Sequence, residues 1–510
     1  MESARWVLTD SKVAGWIENN SKPLIGLAIA GALLWTLILL QFTVDDAFIS
    51  FRYAKILFTH GIWNWNPSGP RVESYTSALY TVLAVIPMLL HIPPALFFKA
   101  FGTACIAAMV YRVVTEASSR FAMVIGVMVI GLFPTLWLHA FSGLETPLYI
   151  LLILEMALCV EHAADAQYPY VCLLFLLLPL TRPEGVVFSI LGAILFVRRR
   201  RDADTFTRWF VVAAFVGLVY FIARWHYFGQ LLPNPFYVKV TREPLQERLA
   251  AILANFDESW VYLLVLLSIA FVALKAHVRI FAICALLLML VLFEPHKLLM
   301  NYGDRFFFQL LFPILLLFVI AEETRHSERI FCVLLAFSLV ASSRKGVLGE
   351  VLYFPYLQVA HVDLGKRLAP FQQNHTLVIG DDGAVPYYSG WVTYDFLGLC
   401  TNTIARHGLT ADFLYSTHPD LIVLYNDHAG PAITFSDVDQ HLLVDYIQAS
   451  GQYGYVGASR WRGFYLVEFL RKDTPNHDAI AQTLADNTEH SARFKFSIKH
   501  LIEQKYVPVD

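Results

Sequence analysis

The stretch P-L-I-G-L-A-I-A-G-A-L-L-W-T-L-I-L-L-Q-F at residues 23–42, followed at once by T-V-D-D, decides the class of fold. It carries no charge and has the ~20-residue length that a helix needs to cross a bilayer. It exceeds a signal-peptide core and is followed by Thr43, Val44 and two aspartates rather than a small-residue cleavage site, so it predicts a retained helix. Asp45 and Asp46 stand at its exit, where ionised groups are unfavourable unless solvated, paired or used.

The rest of the chain follows the same pattern. Of its 510 residues, 57% are hydrophobic and 15% charged, with mean hydropathy +0.54. That is too apolar for a soluble domain and too long for a single anchor, so a polytopic α-helical membrane protein is expected. The net charge of −3 gives no reason to expect a nucleic-acid partner. Five cysteines lie in apolar segments and only Cys400 in a polar one, which predicts neither a disulfide framework nor a cysteine-based zinc site.

Apolar runs recur at 23–43, 77–92, 95–114, 121–140, 145–160, 169–181, 183–197, 208–228, 259–276, 279–293, 306–321 and 329–343. Basic clusters at Arg198–Arg201, at Lys275, His277 and Arg279, and at Arg325 and Arg329 mark the cytoplasmic side. Counting outward from them places the loops at 140–146, 181–185, 229–258 and 294–305, and the tail after 344, on the opposite side. The Asp45 loop joins that side if one of the three runs between 77 and 140 fails to cross, or if two of them share a crossing. The breaks His91-Ile92-Pro93-Pro94 and Gly131-Leu132-Phe133-Pro134 are where this is expected. The expected arrangement is about 11 transmembrane helices over residues 1–343, N-terminus inside.

Residues 344–510 change character. T-L-V-I-G-D-D-G-A-V-P-Y-Y-S-G, D-L-I-V-L-Y-N-D, Y-G-Y-V-G and F-Y-L-V-E-F-L read as short strands with turn punctuation, and L-G-K-R-L, A-D-F-L-Y and V-D-Q-H-L-L-V-D-Y-I as helices. This predicts an α/β domain outside the membrane.

The polar residues at the outer ends of the spans are Asp45, Asp46, Arg52, Arg71, Glu73, Glu145, Arg182, Glu184, Asn234, Lys239, His296, Asp304 and Arg305. Charges converging on one face of a bundle mark a substrate pathway. Arg182/Glu184 and Asp304/Arg305 also read as salt-bridged helix ends. A loop carboxylate suits a general base for an incoming hydroxyl, and Arg or Lys suits a phosphate leaving group. Trp63, Trp65 and Tyr75 suit sugar stacking or an interfacial belt. Metalloprotease, P-loop and lipase-type serine hydrolase motifs are absent from the sequence.

The first loop, D-D-A-F-I-S-F-R-Y-A through R-V-E-S-Y-T-S-A-L-Y, resembles the DDAFISxRYA … ERVEGYTNxLW signature of GT-C glycosyltransferases of the arabinofuranosyltransferase AftB / ZomB type. The likeness continues at S-G-L-E-T-P (142–147), T-R-P-E-G (181–185), G-Q-L-L-P-N-P-F-Y-V-K (229–239) and N-Y-G-D-R-F (301–306), and in the tail at G-D-D-G-A-V-P-Y-Y-S-G and D-F-L-G-L. Ser74 stands where that family usually has Gly, Pro70 where it has Glu, and Pro235 where Thr is common.

The resemblance implies a GT-C enzyme of the bacterial inner membrane, working on its outer face with an extracytoplasmic C-terminal domain. Its donor would be a polyprenyl-phosphate-linked sugar and its acceptor a cell-envelope glycan, lipid or protein. An aspartate of the first outer loop is the presumed acid/base, which carries over to Asp46 or Asp45. Arg52, Arg71, Glu73, Tyr75, Glu145, Arg182, Glu184, Asn234, Lys239, Asp304 and Arg305 are the expected substrate-binding set, with Arg182, Lys239 and Arg305 on the donor phosphate. No metal site is expected from the motifs. Two other readings compete: a non-catalytic GT-C-like protein affecting motility or virulence, and a secondary transporter.

Overall fold

The computed structural model describes residues 12–163, 167–199, 203–239, 245–296, 298, 300–321, 324–342, 347–372, 375–434, 438–461 and 464–485. α1 (Ser21–Leu39) leads through the Asp45–Asp46 turn into α2 (Ala47–His60). Then come two short helices, α3 (Ala78–Leu83) and α4 (Val85–Leu89), and the long α5 (Pro94–Glu116). Next are α6 (Arg120–Leu132), α7 (Pro134–Phe141), α8 (Thr146–Glu161), α9 (Tyr168–Thr181) and α10 (Gly185–Arg199). The bundle is completed by α11 (Ala203–Phe228), the short α12 (Asn234–Lys239), α13 (Leu245–Val272), α14 (Ala276–Leu288), α15 (Arg305–Ala321) and α16 (His326–Ser342).

Among the described residues, six helices are long and apolar enough to cross a membrane: Ser21–Leu39, Pro94–Glu116, Asp204–Phe228, Arg248–Val272, Ala276–Phe293 and Tyr302–Ala321. The pair α6–α7, bent by 55°, makes a seventh if counted as one span. Four further expected runs form helices of 14 to 17 residues, namely α8, α9, α10 and α16.

The 77–92 run does not form one continuous helix. Pro87 lacks an N–H and its ring crowds the carbonyl four residues back, at Leu83, where α3 ends. α4 restarts at Val85 and ends at Leu89. Pro134 acts in the same way on Ile130, and the indole of Trp137 donates to the freed Ile130 carbonyl at 3.0 Å. The bend is therefore hydrogen-bonded rather than merely tolerated.

α15 is the central pillar, with every residue from Arg305 to Ala321 buried. The outer helices instead expose large apolar side chains, among them Phe215 and Leu218 of α11 and Leu253 and Phe271 of α13. Surface of this kind and extent is what a lipid-facing bundle presents. Several long apolar helices together are compatible with a multi-pass membrane protein.

The two ends of the bundle carry different polar clusters. At one end, Glu161 of α8 holds Lys275 (2.7 Å) and His277 (2.7 Å), with Arg199 of α10 at 3.7 Å. Two of the three basic clusters expected on one side of the membrane thus meet at Glu161. At the opposite end the Asp45 turn meets the loop before α8, through Val44 N–H donating to Ser142 O at 3.0 Å.

α17 (Val347–Leu368) leads into a small mixed sheet of five strands: β1 (Thr376–Ile379), β2 (Val392–Asp395), β3 (Leu421–Asn426), β4 (Tyr453–Trp461) and β5 (Phe464–Arg471). Their order is β2-β1-β3-β5-β4, with β1 parallel to β2 and β3, and β5 antiparallel to β3 and β4. The helices of this part are α18 (Ala384–Ser389), α19 (Asn402–His407), α20 (Ala411–Thr417), α21 (Val438–Ser450) and α22 (His477–Ala485). Each of the four expected stretches contains a strand, but the first is extended only over Thr376–Ile379, and its second half forms α18, ended by Gly390 in the left-handed region. β2 was not expected, because its apolar signal is four residues long and is cut off by the following turn.

Candidate functional site

The first loop is clamped against the C-terminal domain. Arg52 of α2 is 2% exposed and donates from Nε to Trp65 O (2.8 Å), and from Nη2 to Asn66 Oδ1 (2.9 Å) and Trp391 O (2.8 Å). Its Nη1 donates to Pro386 O. The guanidinium also lies 4.6 Å from the centre of the Trp65 ring. Lys55 donates to Tyr387 O at 2.6 Å, and Trp65 and Asn66 both donate to Thr393 O. Arg52 therefore fastens two parts of the chain and is not placed in the cavity described below.

The adjacent aspartates are separated by this docking. Asp45 turns toward the C-terminal domain and accepts from Gly383 N–H (2.8 Å) and Ala384 N–H (2.9 Å), at the start of α18. Burial pushes its carboxyl up to about 6; His361 opposes the rise and Asp381 adds to it. Its carboxylate accepts from these two N–H groups and not from Arg52, whose donors go elsewhere. Asp46 occupies the N-cap position of α2 without a side-chain cap hydrogen bond. It lines a polar cavity of about 60 Å³.

Tyr75, Glu145 and Arg305 line that cavity as well, together with Ser50, Ser74, Thr76, Ser77 and Pro235. Arg305 is 5% exposed, and its Nε and Nη1 have no hydrogen-bond partner. It is presented by a strained turn in which Gly303 (φ +53°) and Asp304 (φ +52°) are both left-handed. Asp304 faces away and accepts from Tyr262 OH at 3.0 Å. Tyr75 accepts from Trp63 Nε1 at 2.9 Å and packs edge-on against Tyr53.

The other expected residues have different placements. Arg182 is held between Glu145 (2.6 Å) and Glu184 (2.5 Å), so its charge is already matched by two carboxylates. Glu184 also accepts from Gln309 Nε2 at 3.1 Å. Glu73 forms a two-pronged pair with Arg224 at 2.5 and 2.8 Å, a partner the sequence did not suggest because Arg224 sits inside an apolar run. Asn234 is fully buried at the start of α12; its N–H donates to Glu73 O, and neither side-chain polar atom has a partner. Arg71 is exposed and stacks on Tyr227 at 5.0 Å, away from the cavity. The side chain of Lys239 lies outside the described residues. Lys99 of α5, not singled out from sequence, is buried and donates to Thr43 Oγ1 at 2.8 Å.

A second group sits in the C-terminal domain near the clamp: Asp382, Asp395 and Cys400, all buried, with one potential ligand atom each within 4.8 Å of the others. Burial pushes the Asp395 carboxyl up to about 7 and the Asp382 carboxyl well above its ordinary range. Their spacing in the chain resembles no metal motif, so nothing in the sequence marks this group.

A family model described as a domain of unknown function (DUF8728) matches residues 356–483, from the second half of α17 into α22. The tail motifs at 380–390 and 395–399 fall inside that match. Comparison with curated proteins and with solved structures returned no match.

Proposed function

We propose that this chain is a GT-C-type glycosyltransferase of the bacterial inner membrane. It moves a sugar from a polyprenyl-phosphate donor to a cell-envelope glycan, lipid or protein acceptor on the outer face. The observation that carries the reading is Arg305, a buried guanidinium with two unpartnered donors, lining the same cavity as Asp46. A cation held dry with open donors favours an anion such as the donor phosphate.

In this reading eleven helices cross: the six long spans, the bent α6–α7 pair, and α8, α9, α10 and α16. The broken α3–α4 run stays outside, which resolves the parity of the Asp45 loop. The Lys275/His277/Arg199 cluster lies inside, in keeping with the preference of basic loops for the cytoplasm, and the sheet domain lies outside.

The acceptor hydroxyl gives its proton to Asp46 as its oxygen bonds to the anomeric carbon. The bond from that carbon to the phosphate oxygen breaks, and polyprenyl phosphate leaves with its charge held by Arg305. The α2 N-terminus favours the ionised form of Asp46. A cavity of about 60 Å³ holds on the order of two waters, so admission of the sugar ring requires its walls to separate. A transporter would instead place such charges near the midplane.

Native mass spectrometry of the detergent-purified chain tests the donor assignment. Wild type is expected to retain added polyprenyl phosphate, and Arg305→Ala to lose it by about tenfold or more. Equal retention by both would remove Arg305 from the donor site.

A further inference from the structure

We propose that Asp382, Asp395 and Cys400 form a zinc-binding site in the C-terminal domain. The three are 3%, 0% and 1% exposed, and their potential ligand atoms all lie within 4.8 Å of one another. Asp382 Oδ2 is buried and has no hydrogen-bond partner. An acceptor in that position is expensive to leave unmatched in a dry interior.

The turn after β2 is built around the second ligand. Asp395 accepts from Leu397 N–H at 2.7 Å and from Cys400 N–H at 3.1 Å, while its own N–H donates to Thr401 Oγ1 at 2.9 Å. These bonds fix the carboxylate and bring Cys400 back beside it, as outer-shell hydrogen bonds do around metal ligands. Gly398 (φ +92°) makes the reversal possible, and a Cβ there would meet Ala405 N at 2.9 Å.

Two carboxylates this close in a dry interior require either a shared proton or a compensating charge. Arg52 is near, but it donates to the Trp65, Pro386 and Trp391 carbonyls and to Asn66, not to these carboxylates. A divalent cation supplies the charge directly. One thiolate with two carboxylates suits zinc, which accepts mixed sulfur and oxygen donors in a tetrahedron; calcium and magnesium require more oxygens. Three protein ligands leave one position for water. Binding releases the Cys400 thiol proton and any proton shared by the carboxylates. The site does not depend on Asp46 being catalytic, since none of its three ligands lines the bundle cavity, although Leu399 of the same turn does.

The test is metal analysis of the full-length protein, purified in detergent with any histidine tag removed. Wild type is expected to carry about one zinc per chain. Cys400→Ser and Asp382→Asn are each expected to lower occupancy by about tenfold or more. Because either variant could unfold, wild type is also exchanged with cobalt(II) alone, which is expected to give a thiolate-to-metal charge-transfer band. Absence of zinc together with absence of that band would overturn the proposal, leaving a proton-sharing acid pair beside a thiol. Full zinc retention by both variants would overturn it equally.

Discussion

Asp45 and Gly383, 338 residues apart, are joined by a 2.8 Å hydrogen bond from the glycine N–H to the aspartate carboxylate, and a Cβ on Gly383 would overlap Asp45. The contact divides the labour of the Asp pair: Asp45 holds the C-terminal domain, while Asp46 faces the cavity. Asp45→Asn places an amide NH₂ against one of two N–H donors. It is expected to destabilise the docked state by about 1–3 kcal/mol, and Gly383→Ala by a similar amount through overpacking. Thermal melting of the purified chain checks both; unchanged melting for both would show that the contact contributes nothing.

Arg52→Lys keeps the charge but replaces a fork of donors with one ammonium. That single nitrogen cannot serve Trp65 O, Pro386 O, Asn66 and Trp391 O together. Each carbonyl left unmatched costs about 1–3 kcal/mol, so a loss of at least about 2 kcal/mol is expected. Polyprenyl-phosphate binding should survive in the fraction that remains folded. A variant with wild-type melting and no donor binding would move Arg52 into the donor site.

Glu468, fully buried on β5, has its carboxyl pushed up to about 7 by burial, against the pull of Arg367 and the 2.8 Å hydrogen bond from Ser459, with Asp363 adding to the rise. Its folded value lies above its ordinary 4.5. The contribution is therefore fully present below about 4.5 and lost as pH rises through about 7. Hydrogen-exchange protection of β4 and β5 is expected to fall across that window by roughly 3 kcal/mol at most. In Glu468→Gln the protection should be flatter with pH and higher above pH ~7. Identical profiles would assign the dependence to other groups.

Local rules carried the sequence a certain distance. Charge-free runs marked the helices, loop-end charges marked Asp46, Glu145 and Arg305, and the aromatics of the first loop marked Tyr75; these four line one cavity. The 77–92 run breaks at Leu83, four residues before Pro87, rather than at the His91–Pro94 stretch where the paired prolines point. Contacts between distant segments stayed hidden. Asp45 with Gly383, Glu73 with Arg224, and Arg52 with Trp391 each join segments more than a hundred residues apart, and no periodicity connects them. Arg224 in particular read as part of an apolar span. The Asp382–Asp395–Cys400 group depends on a turn that brings residues 395 and 400 against the 380–383 loop, a matter of tertiary packing alone.

The central claim is that Asp46 is the base of a glycosyl transfer, and the rate of that transfer by the purified chain tests it most directly. Radiolabelled sugar is followed from polyprenyl-phosphate donors to envelope-derived acceptors, with wild type and Asp46→Asn compared at equal folded concentration. Wild type is expected to turn over. Asp46→Asn is expected to be about 10²–10⁴-fold slower, with melting and donor binding unchanged. Transfer by Asp46→Asn at the wild-type rate would contradict the account.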